Sequence, residues 1–185
     1  MSDRVRVGMV GLGGWGKNLL RNFGTLRESD LRWCCDADEG TRASHQASYP
    51  NARFTASYDE VLADPEVEAV VLATPVPTHY ELARRAILAG KHVLVEKPMT
   101  WTAAEAHDLR DLVADSGLVL MVGHLLRFHP GVEKLRELID SGELGDVRYV
   151  YGNRQNLGVI REDENALWSL GVHDISVVQI GRAHV

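Results

Sequence analysis

The chain has 185 residues, of which 20 are Lys or Arg and 26 are Asp or Glu, giving a formal net charge of −6. That balance argues against a nucleic-acid partner, whose footprint is a basic patch with a high isoelectric point. With 45% apolar and 25% charged residues the composition is neither disordered nor collagen-like, and the length predicts one domain of ordinary size with a remainder.

Short apolar runs at 5–10, 31–35, 52–54, 69–73, 92–95 and 118–122 read as buried strands separated by helix-length segments. Such alternation predicts an α/β fold with a doubly wound parallel sheet. The first run begins so early that no space is left for a leader, and none approaches the roughly 18 residues of a membrane span. A cytoplasmic protein with no membrane association is therefore expected. Cys34 and Cys35 are the only cysteines; adjacent in a strand pattern, they read as small buried groups.

The helices between the strands carry their own punctuation. Thr78 with Glu81 and Thr102 with Glu105 both fit a capping box, and Gly90 and Gly117 stand where the following helices should stop. After Val122 the rhythm changes: a helix is predicted over 130–141, a strand over 147–152 and a final helix over 166–180. A boundary near 123–127 divides the chain into a first domain over 1–122 and a second over 123–185.

The chemistry collects where strands end. The first strand runs into Gly11-Leu12-Gly13-Gly14-Trp15-Gly16, a G-x-G-x-x-G sequence that opens a helix, and Asp36 closes the second strand 20 residues beyond Gly16. Glycines are needed there for a tight turn, for close approach to a pyrophosphate and for helix-on-strand packing, while the acid accepts hydrogen bonds from an adenosine ribose. This predicts a dinucleotide site, with NAD favoured over NADP because a carboxylate repels the additional phosphate; Arg42 is the residue that could accommodate one. Further strand ends supply Thr74 and Pro75, then Glu96, Lys97 and Pro98, then Gly123 and His124. Ligands bind beyond the carboxyl ends of parallel strands, so all of these are candidates for the same edge. Lys97, held between a buried strand and a proline, is the candidate for proton chemistry. His79 is read either as a cofactor contact or as a helix-start residue. His124 and His129 lack zinc spacing, and no metal is expected.

Taken together, the glycine loop, Ala73-Thr74-Pro75 followed by Thr78-His79, the run Ala89-Gly90-Lys91-His92-Val93-Leu94-Val95-Glu96-Lys97-Pro98 and Gly171-Val172-His173 resemble the Gfo/Idh/MocA oxidoreductases. The resemblance implies a Rossmann domain holding NAD(P), then a larger α/β domain whose open sheet forms the substrate site and an oligomer contact. It further implies that Lys97 is the active-site lysine and that His173 faces the nicotinamide across the substrate. Many members carry an aspartate four residues before that histidine, where this chain has Ser169. Asn165-Ala166-Leu167-Trp168 and His173-Asp174-Ile175-Ser176 look most like the sugar-nucleotide branch that oxidises C3 of UDP-N-acetylglucosamine-type uronic acids.

The resulting expectation is an NAD-dependent dehydrogenase acting on a secondary hydroxyl of a sugar or sugar nucleotide. His173 is the candidate base, Lys97 orients the hydroxyl, and Arg127, Arg154 and Asn156 border the substrate. NAD-dependent glycoside cleavage and a non-catalytic NADH-binding module are the alternatives. The 63 or so residues after the Rossmann unit are too few to close a substrate sheet, so the chain is expected to be a truncated fragment whose last residues are non-native.

Overall fold

The computed structural model describes residues 4–153 and 165–179. Their contacts form two compact units, one through Gly123 and one from His124. In the first, the apolar runs become β1 (Val5–Val10), β2 (Ser29–Cys35), β3 (Arg53–Thr55), β4 (Ala69–Leu72), β5 (His92–Val95) and β6 (Leu120–Val122). All five pairings are parallel, in the order β3-β2-β1-β4-β5-β6. This is the Rossmann arrangement, two three-stranded halves that diverge from a switch point between β1 and β4.

Parallel strands need helical crossovers, which cover both faces of the sheet and so demand apolar side chains on both. Those crossovers are α1 (Gly16–Thr25), α2 (Glu39–Gln46), α3 (Tyr58–Ala63), α4 (His79–Leu88) and α5 (Ala103–Ala114). On one face Val7, Met9, Cys34 and Val71 pack with Leu20 of α1. On the other, Val10, Cys35, Val70, Leu72, Val93 and Val95 pack with Val61 of α3, Ala83 and Ala86 of α4, and Leu109 of α5. The neighbouring cysteines thus enter opposite layers, as strand alternation requires. Both are buried and free, and burial pushes the Cys34 thiol up to about 12 and the Cys35 thiol up to about 11.

Helix α5 starts with the expected capping box: Thr102 Oγ1 accepts from the Glu105 amide at 3.3 Å, and the Glu105 carboxylate accepts from the Thr102 amide at 2.9 Å. The box expected at Thr78 does not form. Thr78 ends a 3₁₀ turn (Val76–Thr78) and already has helical φ and ψ of −96° and −13°, whereas an N-cap residue needs an extended backbone. Its hydroxyl lies 2.7 Å from both Thr74 Oγ1 and the Pro75 carbonyl.

The second unit contains a 3₁₀ turn (Leu125–Phe128), α6 (Pro130–Asp140), a π-helical turn (Leu167–Gly171) and α7 (Val172–Val178). The strand expected over 147–152 is not formed, and Val147, Tyr149, Val150 and Tyr151 are exposed. Alternating apolar residues make a strand only when a neighbouring strand takes their backbone groups. The helix expected over 166–180 begins on time but as a wide turn, and its expected end at Ile180 lies outside the described residues. Among the described residues no helix is long and apolar enough to cross a membrane, and no cluster of three or more His, Cys, Asp or Glu is arranged to hold a metal ion.

Candidate functional site

The strand register itself builds an edge. Val10 pairs with Cys35 and Leu72, Leu72 with Val95, and Val95 with Val122, so the strands run out together. Their next residues continue the ladder: the Gly11 amide donates to Cys35 O at 2.8 Å, Ala73 to Val10 O at 2.8 Å, Glu96 to Leu72 O at 2.9 Å and Gly123 to Val95 O at 2.8 Å. Asp36 joins from β2, donating to Thr55 O at 3.2 Å. One row therefore presents the exits of β1, β2, β4, β5 and β6 with the residues the sequence marks as chemical.

The glycines divide the work at the first exit. Gly11 has φ +85°, a conformation that side chains resist, and a Cβ there would lie 2.6 Å from the Ala73 carbonyl. At Gly16 a Cβ would stand 2.0 Å from the Gly11 carbonyl, so only glycine lets α1 start this close to the strand. At Gly13 and Gly14 a Cβ would meet nothing within 4 Å. These two exposed residues border open space at the start of α1, whose first turn carries no acidic residue and whose N-terminus has no side-chain cap. Partial positive charge at a bare helix start attracts phosphate, and the cradle fits a pyrophosphate.

Asp36 ties this loop to β2. One carboxylate oxygen accepts from the Leu12 amide at 2.7 Å and the other from the Asp38 amide at 2.9 Å. A carboxylate has about four acceptor positions, so both oxygens keep capacity for the hydroxyls of a ribose. Two further contacts here are marked by no local sequence pattern. His45 Nε2, from α2, lies 3.2 Å from the Leu12 carbonyl, so the Leu12 residue is held through its N–H by Asp36 and through its carbonyl by His45. Arg42 Nη1 donates to the Asp36 and Ala37 carbonyls at 2.7 and 3.0 Å, pinning the loop after β2. Asp38 caps α2 by accepting from the Thr41 amide at 2.6 Å. Hydrogen bonding from Thr41 holds the Asp38 carboxyl below the usual carboxylate range.

The β4–β5 side is joined by longer reaches. The exposed Trp15 donates its indole N–H to Glu96 Oε1 at 2.8 Å, while Glu96 Oε2 accepts from the Lys97 amide at 3.2 Å. A Cβ on Gly123 would sit 3.0 Å from the same carboxylate, so the glycine leaves it space. The Lys97–Pro98 peptide is cis. His79, the first residue of α4, is 1% exposed, with Nδ1 2.9 Å from the Pro98 carbonyl and Nε2 2.8 Å from the Thr74 carbonyl. It is therefore turned into the protein, with both ring nitrogens engaged by backbone carbonyls.

The first unit thus brings together Gly11, Gly13, Gly14, Trp15, Gly16, Asp36, Thr74, Pro75, Glu96 and Lys97. Apart from His79, the other candidates belong to the second unit. His124 precedes the 3₁₀ turn that contains the exposed Arg127. His173 is the second residue of α7, where its carbonyl accepts from Ser176 Oγ at 2.7 Å. Ser169 lies in the preceding π-helical turn and donates its hydroxyl to the Asn165 carbonyl at 3.1 Å. Arg154 and Asn156 lie outside the described residues.

A family profile described as an oxidoreductase family with an NAD-binding Rossmann fold matches residues 5–124. A 1-carboxy-3-chloro-3,4-dihydroxycyclohexa-1,5-diene dehydrogenase of Comamonas testosteroni is 35% identical over 147 residues, covering 80% of this chain and 37% of that protein. A UDP-N-acetylglucosamine 3-dehydrogenase of Acidithiobacillus ferrooxidans is 32% identical over 174 residues, covering 94% and 53%. Among solved structures, GenD2 from gentamicin A biosynthesis, in complex with NAD, superposes with a TM-score of 0.84 at 29% identity, over 99% of this chain and 55% of that one. The chain spans between about two fifths and half of the length of these curated relatives.

Proposed function

We propose that this chain, which belongs to the Gfo/Idh/MocA family of NAD-binding oxidoreductases, forms the cofactor half of a dehydrogenase that oxidises a secondary hydroxyl of a sugar or sugar nucleotide. The observation that carries the reading is the single edge on which the glycine cradle, Asp36 and Lys97 stand in register. NAD supplies the hydride acceptor when bound. Gly13 and Gly14 leave space for its pyrophosphate, and Asp36 takes the ribose hydroxyls and disfavours an NADP phosphate. Lys97 orients the substrate hydroxyl and stabilises negative charge developing on its oxygen. His173, in the second unit, takes the hydroxyl proton. Ser169 stands where the family resemblance implies an aspartate, and a serine carries no negative charge to tune His173.

The UDP-N-acetylglucosamine class is favoured as substrate by the 32% identical relative that covers most of the chain. NADH formation on a panel of UDP-sugars by the dehydrogenase that contains this cofactor half tests the activity, with Lys97→Ala in the same protein as the control. Turnover with a UDP-N-acetylhexosamine, abolished in Lys97→Ala while NADH binding stays within a few-fold, is the expected result. Full turnover in that variant would remove Lys97 from the chemistry. NADH binding without turnover on any sugar would favour a binding module.

A further inference from the structure

We infer that His79 is a positioning residue for the nicotinamide half of the cofactor site, an assignment that rests on the cofactor reading above. Beyond the last ladder bond between β4 and β5, the Glu96 amide to the Leu72 carbonyl, the chain leaves the sheet in two separate turns. One carries Thr74, the other Lys97 and Pro98. The His79 imidazole spans them, with one nitrogen 2.8 Å from the Thr74 carbonyl and the other 2.9 Å from the Pro98 carbonyl, in a site that is 1% exposed.

The chemistry of this bridge is specific. The two ring nitrogens point in opposite directions, and each lies within hydrogen-bond distance of a backbone carbonyl on a different turn. Among side chains of this size only histidine offers polar nitrogens on opposite sides of one rigid ring, which fixes the spacing of the two turns as a strut. In a dinucleotide fold the adenosine portion lies over the β1–β2 half and the nicotinamide portion over the β4–β5 half. Different contacts secure the other half: Asp36 and His45 on Leu12, and Arg42 on the carbonyls after β2. His79 therefore governs the relative placement of Thr74 and Lys97 and leaves the adenosine half alone.

The test compares two ligands on the 185-residue chain. NADH needs both halves; ADP-ribose lacks the nicotinamide. His79→Ala should weaken NADH binding about tenfold, the scale of losing a buried hydrogen-bonded pair, with ADP-ribose affinity unchanged within twofold. His79→Gln, which keeps one donor, should fall between the variant and wild type. Unchanged NADH affinity, or equal losses for both ligands, would overturn the assignment. An experimental structure of the wild-type chain gives a readout that needs no variant: the His79 ring should lie within hydrogen-bond distance of both the Thr74 and the Pro98 carbonyls, and a ring that has left either one would overturn the two-contact strut even if His79→Ala fails to fold. Wild-type chain that binds neither ligand would strike the cofactor reading itself and with it this role, whereas wild type that binds both leaves the variants to decide on His79 alone.

Discussion

On the β1–β2 side of the edge, the anchoring groups are a carboxylate, an imidazole and a guanidinium acting on the backbone of two neighbouring loops. On the β4–β5 side, one indole reaches Glu96 across 81 positions of sequence, and one buried imidazole bridges the turns after two different strands. The first half is a preformed phosphate and ribose cradle whose shape comes mainly from backbone. The second depends on individual side chains to hold apart the two turns that would present a reactive lysine. A cofactor domain can thus keep its affinity for the adenosine portion while its reacting end is retuned by single substitutions.

Substitution in the cradle should have the largest effect. Gly16→Ala places a Cβ 2.0 Å from a backbone carbonyl, which no side-chain movement relieves. The expected outcome is loss of binding of both NADH and ADP-ribose by at least about 100-fold, with destabilisation at the upper end of single substitutions, about 4 kcal/mol. Calorimetric titration and thermal melting check it. Asp36→Ala comes next. It removes the ribose acceptor and the Leu12 anchor together and should weaken both ligands by roughly 10- to 50-fold, while narrowing the gap between NADH and NADPH. Equal losses for NADH and NADPH would show that Asp36 does not discriminate.

Smaller effects sharpen the contrast between the halves. Trp15→Phe keeps the ring but loses the indole donor to Glu96, and should weaken NADH about three- to fivefold with ADP-ribose unaffected. The smallest effect is acidic. Because the Asp38 carboxyl lies below its ordinary value in the folded chain, its contribution to stability is complete above its unfolded value of about 3.9 and is lost as pH falls through the folded one. Helix α2 should therefore loosen in acid and take ADP-ribose affinity with it. Asp38→Asn, which keeps a capping oxygen but does not titrate, should flatten that dependence; an identical acid profile would assign the loss to another carboxylate.

Much of the first half was legible in advance because its signals are local. Glycines at 11, 13 and 16 and an acid 20 residues later are consecutive features of one strand–helix–strand unit; the structure gives Gly11 and Gly16 separate steric reasons, while Gly13 borders open space. All six strands were readable from their apolar runs because a parallel sheet is buried on both faces. The roles of His45 and His79 were not readable, since each depends on a carbonyl elsewhere in the chain that no local pattern marks. Thr78 and Glu81 carry a capping pattern that the preceding turn, with prolines at 75 and 77, overrides by starting helical geometry early. The strand expected over 147–152 failed for the converse reason: its alternation is real, but a strand needs a neighbour, and none is present among the described residues.

The most direct test of the account is a titration of the 185-residue chain with NADH, followed by fluorescence and repeated with ADP-ribose as competitor and NADPH in parallel. A cradle built as described predicts saturable one-to-one binding of NADH, displacement by ADP-ribose and weaker binding of NADPH. A flat NADH titration on folded protein, or NADH binding that ADP-ribose does not displace, would contradict it.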